Sequence, residues 1–119
     1  MGKFLTAAQL SSFQRDGFLA LPGFVDARRC LDLRDRAMEL AMLHVPPPDK
    51  ATIFTADGTP LHASDQYFLT SGEAIRCFFE KDAFDANGRL RADAHLCLNK
   101  LGHAMHDLDP VFDSFSRLS

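Results

Sequence analysis

Five histidines are the first candidates for chemistry in this chain: His44, His62, His95, His103 and His106. An imidazole can bind a metal or carry a proton near neutral pH, but a metal site needs partners at fixed spacings. His103 and His106 stand three apart, so a helix there would set both on one face as a metal pair. No Cys or carboxylate is placed locally to complete that set, and ordinary surface or core-edge histidines are the plainer reading. His62 precedes Asp65 by three residues and His106 precedes Asp107 by one, while none of the five has Asp or Glu two residues on. Cys97 would need an activating base to act as a nucleophile; none is marked nearby, so it reads as a buried thiol. Glu80 with Asp82 or Asp85 suggests paired carboxylates, yet beside a turn they read as solvated charges. Lys100, taken alone, is a solvated lysine at the start of a helix. Its ammonium is still a point charge with three donors, suited to a carboxylate.

These residues need elements to hold them. Thr6 with Gln9 three residues on is a capping box, which starts a helix that Gly17 stops, with Leu10 and Phe13 on its buried side. Phe18 to Leu21, closed by Pro22-Gly23, reads as a short buried strand. Asp26 caps a second helix, whose inner stripe is Cys30, Leu33, Ala37, Leu40 and Ala41 and which ends before Pro46-Pro47-Pro48. Residues 44–65 are polar and turn-rich, with a tight turn at Asp57-Gly58, and are expected to form a surface loop. Ile75, Cys77 and Phe79 then alternate with Arg76, Phe78 and Glu80, the pattern of a strand. By that alternation Phe79 is core, while Phe78 either lines a pocket or covers a neighbouring element. Asn87-Gly88 between Phe84 and Leu90 predicts a small hairpin. Leu101, Met105, Leu108 and Phe112 recur at helical spacing, with a fresh helix capped at Asp109-Pro110. The reading is α+β, without the succession of strands that would close a barrel.

Composition narrows the classes. A chain of 119 residues, 46% apolar and 24% charged, can form one small folded domain. The net charge of −3, with mixed signs, gives no footprint for nucleic acid. Eleven Phe, one Tyr and no Trp mean many rings with no polar handle, which need burial in the fold or against a partner. Three widely spaced cysteines predict free thiols and a reducing, cytoplasmic setting. No run reaches membrane-spanning length. Met1-Gly2 with Thr6 fits a myristoylation pattern too short to carry weight, and Ser119 spoils the peroxisomal look of Ser116-Arg117-Leu118.

Two stretches carry a family resemblance. The first runs through Asp16-Gly17-Phe18-Leu19 to Leu21-Pro22-Gly23-Phe24. The second runs from Asp65-Gln66-Tyr67-Phe68-Leu69-Thr70-Ser71-Gly72 through Phe78-Phe79-Glu80-Lys81 to Leu98-Asn99-Lys100-Leu101-Gly102-His103-Ala104-Met105-His106, with Asp109-Pro110-Val111-Phe112 after it. In order and content they resemble the N-terminal portion of the phytanoyl-CoA dioxygenase family. That resemblance implies a single domain over residues 1–119: a helical flank and the first strands of a double-stranded β-helix (jelly-roll) oxygenase, its barrel incomplete in this chain. It implies Fe(II) and 2-oxoglutarate as cofactors of the full-length protein, with a small-molecule substrate, acyl-CoA or another lipid-like molecule. It implies Lys100 as a 2-oxoglutarate contact. The family's iron ligands, a His-x-Asp pair and a distant His, are expected downstream of Asp109-Pro110-Val111-Phe112. On that expectation this chain holds no catalytic residue or metal ligand, binds neither cofactor tightly alone, and is inactive by itself. The alternative is a non-catalytic short isoform that acts as a binding module.

Overall fold

The computed structural model describes residues 5–54 and 66–117. The chain divides into two compact units, one up to Cys30 and the other from Leu31.

In the first unit, α1 (Ala7–Asp16) carries the capping box: Gln9 N donates to Thr6 Oγ1 at 3.2 Å and Thr6 N donates to Gln9 Oε1 at 2.8 Å. Gly17 ends the helix at φ +78°, a backbone conformation that costs little without a Cβ. Two expectations are corrected here. α1 buries no residue, and Leu10 and Phe13 are exposed. Phe18 to Leu21 forms no strand, and Phe18 is 68% exposed. An extended segment becomes a strand only when a neighbouring strand takes its N–H and C=O groups, and no strand pairs with it among the described residues; Leu21 O accepts only from Phe24 N, in a local turn at 3.2 Å.

α2 (Ala27–His44) is capped by Asp26, whose Oδ1 accepts from Arg29 N at 2.9 Å. It stops where the three prolines begin, because the residue before a proline avoids the helical region and proline has no N–H. Leu40 and Ala41 are buried, Leu33 and Ala37 half-buried, but Cys30 of the expected stripe is exposed.

The second unit is organised by β1 (Arg76–Phe79) and β2 (Leu98–Gly102), an antiparallel pair. Cys77 faces Leu101 and Phe78 faces Lys100, and then a bulge shifts Phe79 opposite Leu98, leaving Asn99 as the extra residue. The expectation that a helix starts at Lys100 and carries Leu101 is therefore corrected: both lie in β2, because a partner strand overrides local spacing. Within the expected loop, Pro48–Lys50 make a 3-10 turn. Thr52 to Phe54 then join the sheet through Phe79, whose N donates to Thr52 O at 2.8 Å and whose O accepts from Phe54 N at 3.0 Å. The turn expected at Asp57-Gly58 lies outside the described residues.

Both faces of β1 are covered. On one, Cys77 lies under α2, its Sγ 3.8 Å from Ala41 O. On the other, Phe78 sits in a ring cluster described below. Past the bulge, Phe79 packs with Ala83, Cys97, Phe84 and Leu90. Phe84 and Leu90 flank the predicted hairpin, where Asp85 N donates to Arg89 O at 2.8 Å and Gly88 takes φ +74°. Helix α3 (Gln66–Leu69) precedes the sheet; α4 (Met105–Leu108) and α5 (Pro110–Ser116) follow it. The architecture is mixed helix and a small open sheet, a partial α+β fold.

Burial decides thiol chemistry. Desolvation pushes the Cys77 thiol up to about 11, and Cys97 is buried while Cys30 is exposed. The thiolate is the reactive form, so at about pH 8 a native chain should alkylate quickly at Cys30 only. Cys77 and Cys97 should follow on unfolding. Mass spectrometry of a timed reaction checks this, and fast modification of all three thiols would contradict the burial of β1.

Candidate functional site

The ring cluster on the outer face of the β1–β2 pair is the most developed site. Phe78, fully buried, is its centre. Tyr67 stands edge-on to it at 5.4 Å between centroids, Phe68 at 5.8 Å, His103 at 6.2 Å and Phe54 at 6.3 Å. These spacings are the edge-to-face range that ring quadrupoles favour. Three elements contribute: α3 supplies Tyr67 and Phe68, the segment added beside Phe79 supplies Phe54, and the end of β2 leads into His103.

Polar groups fix the rings. The Tyr67 hydroxyl donates to Cys77 O at 3.2 Å and accepts from Cys77 N at 3.3 Å, tying α3 to β1. Arg76 stacks its guanidinium 4.7 Å from the Tyr67 ring centre and donates to Thr70 Oγ1 at 2.8 Å and to Tyr67 O. Ser71, 1% exposed, donates to Phe68 O at 2.6 Å and lies 3.0 Å from His103 Nδ1.

Lys100 lies across from Phe78 in the strand register, so its side chain leaves the sheet on the ring face. Its ammonium rests 4.9 Å from the centre of Phe54 and 6.0 Å from that of Phe68. Among the described residues it meets these rings and no carboxylate. A half-buried cation on an aromatic floor, with its three donors unspent among the described residues, is chemically a receptor for an anion.

The other sequence candidates fall elsewhere. His103 and His106 do not share a helix face: His103 precedes α4 and bonds Ser71, while His106, inside α4, lies 3.5 Å from the exposed Asp107. Asp85 Oδ1 accepts from Asn87 N and Arg89 N within the hairpin turn, and Glu80 and Asp82 are exposed. Cys97 Sγ is 3.7 Å from Ala92 O, a buried thiol. His62 and Asp65 lie outside the described residues. No group of three or more His, Cys, Asp or Glu among the described residues could hold a metal ion.

Residue-level reading of the sequence missed the aromatic floor and the Ser71–His103 pair. Phe54 is 46 positions from Lys100 and sits in a stretch without strand periodicity, so no local pattern joins them. It also missed Arg36, whose Nε donates to Asp109 Oδ2 at 2.7 Å across 73 positions.

Comparison with known proteins places these residues in context. The chain matches the phytanoyl-CoA dioxygenase family over residues 13–117. It is 42% identical over 111 residues to phytanoyl-CoA dioxygenase domain-containing protein 1 of Bos taurus, covering 91% of this chain and 38% of that protein. The Mus musculus protein of the same name is 40% identical over 115 residues, covering 94% of this chain and 40% of the relative. A phytanoyl-CoA dioxygenase of Arabidopsis thaliana is 37% identical over 112 residues, with 94% and 38% covered. The chain thus spans about two fifths of the length of these relatives.

Proposed function

The chain belongs to the phytanoyl-CoA dioxygenase family, and from that premise we propose that it is the N-terminal portion of an iron(II)/2-oxoglutarate-dependent oxygenase. In this reading Lys100 binds a carboxylate of 2-oxoglutarate. The iron ligands and most of a jelly-roll barrel belong to the part of the family domain that this chain does not span. The observation that carries the reading is the Lys100 ammonium, held on Phe54 and Phe68 without a carboxylate partner among the described residues.

The residues at hand fit one cofactor and not the other. A carboxylate at Lys100 would receive a full positive charge and up to three hydrogen bonds, beside rings that lower the local dielectric. No such fit exists for iron among the described residues, so no step through a metal is assigned to them. When bound, 2-oxoglutarate supplies two electrons by its oxidative decarboxylation to succinate. This chain's part is to bind and orient the acid, and to exclude water on one side with the Phe54–Phe68–Phe78 wall. The substrate is a small organic molecule, acyl-CoA or another lipid-like compound.

Succinate formation from 2-oxoglutarate with Fe(II) and ascorbate tests the reading. The 119-residue chain alone should give none above background. The same chain joined to the remaining length of a relative's domain should turn over. In that joined protein, Lys100→Met should raise the concentration of 2-oxoglutarate needed for half-maximal rate by roughly ten- to a hundredfold, the worth of a charged hydrogen bond. Turnover by the chain alone would refute the division of labour; an inactive joined protein would refute the oxygenase assignment.

A second reading, a non-catalytic binding module, draws on the exposed apolar residues Met42 and Leu43 of α2. Under it the chain is monodisperse and melts cooperatively, yet its joined form gains no activity.

A further inference from the structure

Pro46, Pro47 and Pro48 follow α2 directly and leave its last turn without donors. In an α-helix each carbonyl accepts from the N–H four residues on, and proline has none. Ala41 O receives Val45 N at 2.9 Å, but Met42 O, Leu43 O and His44 O would need the amides of the three prolines. No other donor reaches these carbonyls among the described residues. A helix of 18 residues thus ends in free carbonyl oxygens at the negative end of its dipole, where a cation is favoured.

That end of α2 borders a cavity of about 450 Å³, within the roughly 300–1,000 Å³ of small-molecule sites. Leu40 and Ile75, both buried, give it an apolar lining, and the exposed Leu43 and Leu108 extend it to the surface. Its charged lining is Arg36, Asp109 and Glu73. Arg36 is already answered, its Nε donating to Asp109 and its Nη1 to Glu39, both at 2.7 Å. Glu73 is exposed and has no ion-pair partner among the described residues. Negative charge is therefore in surplus here, and the free carbonyls of α2 add to it. Neither Lys100 nor a ring of the Phe78 cluster lines this cavity, so it is a second site and not an extension of the first.

A ligand that answers such a lining has an apolar body and one positive charge. An anion would meet Glu73 and the helix end unfavourably, and a bare metal ion would leave the apolar lining unused. A primary ammonium group also brings three hydrogen-bond donors, which suit carbonyls left without any. We propose that this cavity is a binding site for small alkylammonium cations. The alkyl body lies against Leu40, Ile75 and Leu108, and the ammonium lies at the end that Glu73 and the last turn of α2 line. The site stands whether or not Lys100 binds a carboxylate.

The chain has two isoleucines: Ile75 lines the cavity, whereas Ile53, bridged to Phe79, does not. In 1H–13C methyl spectra of the purified chain, hexylammonium should therefore move the Ile75 methyls and leave those of Ile53 in place. It should bind about three- to tenfold more tightly than hexanol, the worth of an exposed ion pair and a helix-end charge together. Hexanoate should bind more weakly than either. Ethylammonium, shorter by four methylenes, should bind more than about tenfold more weakly than hexylammonium. Glu73→Gln, at an exposed position, should weaken hexylammonium about two- to fivefold and leave hexanol unchanged. Leu108→Lys, also exposed, sets a like charge at the opening and should weaken hexylammonium to a similar degree. The same order of ligands should hold in the chain joined to the remaining length of a relative's domain. Equal binding of hexylammonium and hexanoate overturns the proposal, as do Ile75 methyls that no ligand moves and an unaltered preference in Glu73→Gln. Loss of binding in the joined protein also overturns it, since the rest of the domain would then fill the cavity.

Discussion

Phe78→Ala is expected to cost about 3–5 kcal/mol, the usual penalty for emptying a buried aromatic site. Phe78 is fully buried and touches four other rings, from α3, from the segment beside Phe79 and from the turn after β2. None of those rings can collapse into the space freely: Tyr67 is tied to Cys77 and His103 to Ser71. Small domains hold only about 5–15 kcal/mol in total, so this loss should remove a large share of the stability of the second unit. Urea unfolding followed by tyrosine fluorescence suits the measurement, since Tyr67, the one tyrosine, packs against Phe78. Phe24→Ala is the control: Phe24 is 77% exposed, and its loss should stay within about 0.5 kcal/mol. Equal midpoints for the two variants would show that the cluster is not the core. A Phe78→Leu variant should recover part of the loss by refilling volume.

Asp109→Ala should be the next most damaging change, at about 2–3 kcal/mol, because one carboxylate serves two structures. Its Oδ1 accepts from Val111 N at 3.0 Å and Phe112 N at 3.3 Å, capping α5, while Oδ2 accepts from Arg36 Nε at 2.7 Å and holds α2 to that cap. Asp109→Asn separates the two, since an amide oxygen still caps but carries no charge. Acid should act on the same group. Burial alone would raise the Asp109 pKa, yet the Arg36 guanidinium and the two backbone N–H groups outweigh it, and the carboxyl sits below its ordinary value. The unfolded chain therefore binds the proton more readily than the folded one. The contribution of Asp109 is complete above the unfolded value, near pH 4, and fades as pH falls through the lower folded value. Wild type should lose stability over that window more steeply than Asp109→Asn. Parallel pH profiles for the two would remove Asp109 as the acid-sensitive group.

Much of this was written locally. Thr6 with Gln9, Asp26, the three prolines, Asn87-Gly88 and Asp109-Pro110 each act within a few residues of themselves, and each does in the fold what its type and spacing predict. The alternation from Ile75 to Glu80 identified β1 for the same reason, because side chains of a strand point to opposite faces whatever covers them. The motif around Lys100 likewise pointed to the family without any contact being known.

Tertiary structure decided the rest, wherever a residue's state depends on what lies across from it. Leu98–Gly102 is a strand because β1 offers it a ladder, although Leu101, Met105 and Leu108 keep helical spacing. Phe18–Leu21 reads as a strand and is none, for want of such a neighbour among the described residues. Lys100 is a lone cation in the sequence; it becomes a candidate anion receptor only when Phe54, 46 positions earlier, comes under its ammonium. His103 is one of five histidines in the sequence; only the fold sets its Nδ1 3.0 Å from the hydroxyl of the buried Ser71. Propensity and capping act over a turn of chain, whereas charge, protonation and reactivity answer to neighbours in space, and those neighbours exist only once the chain has folded.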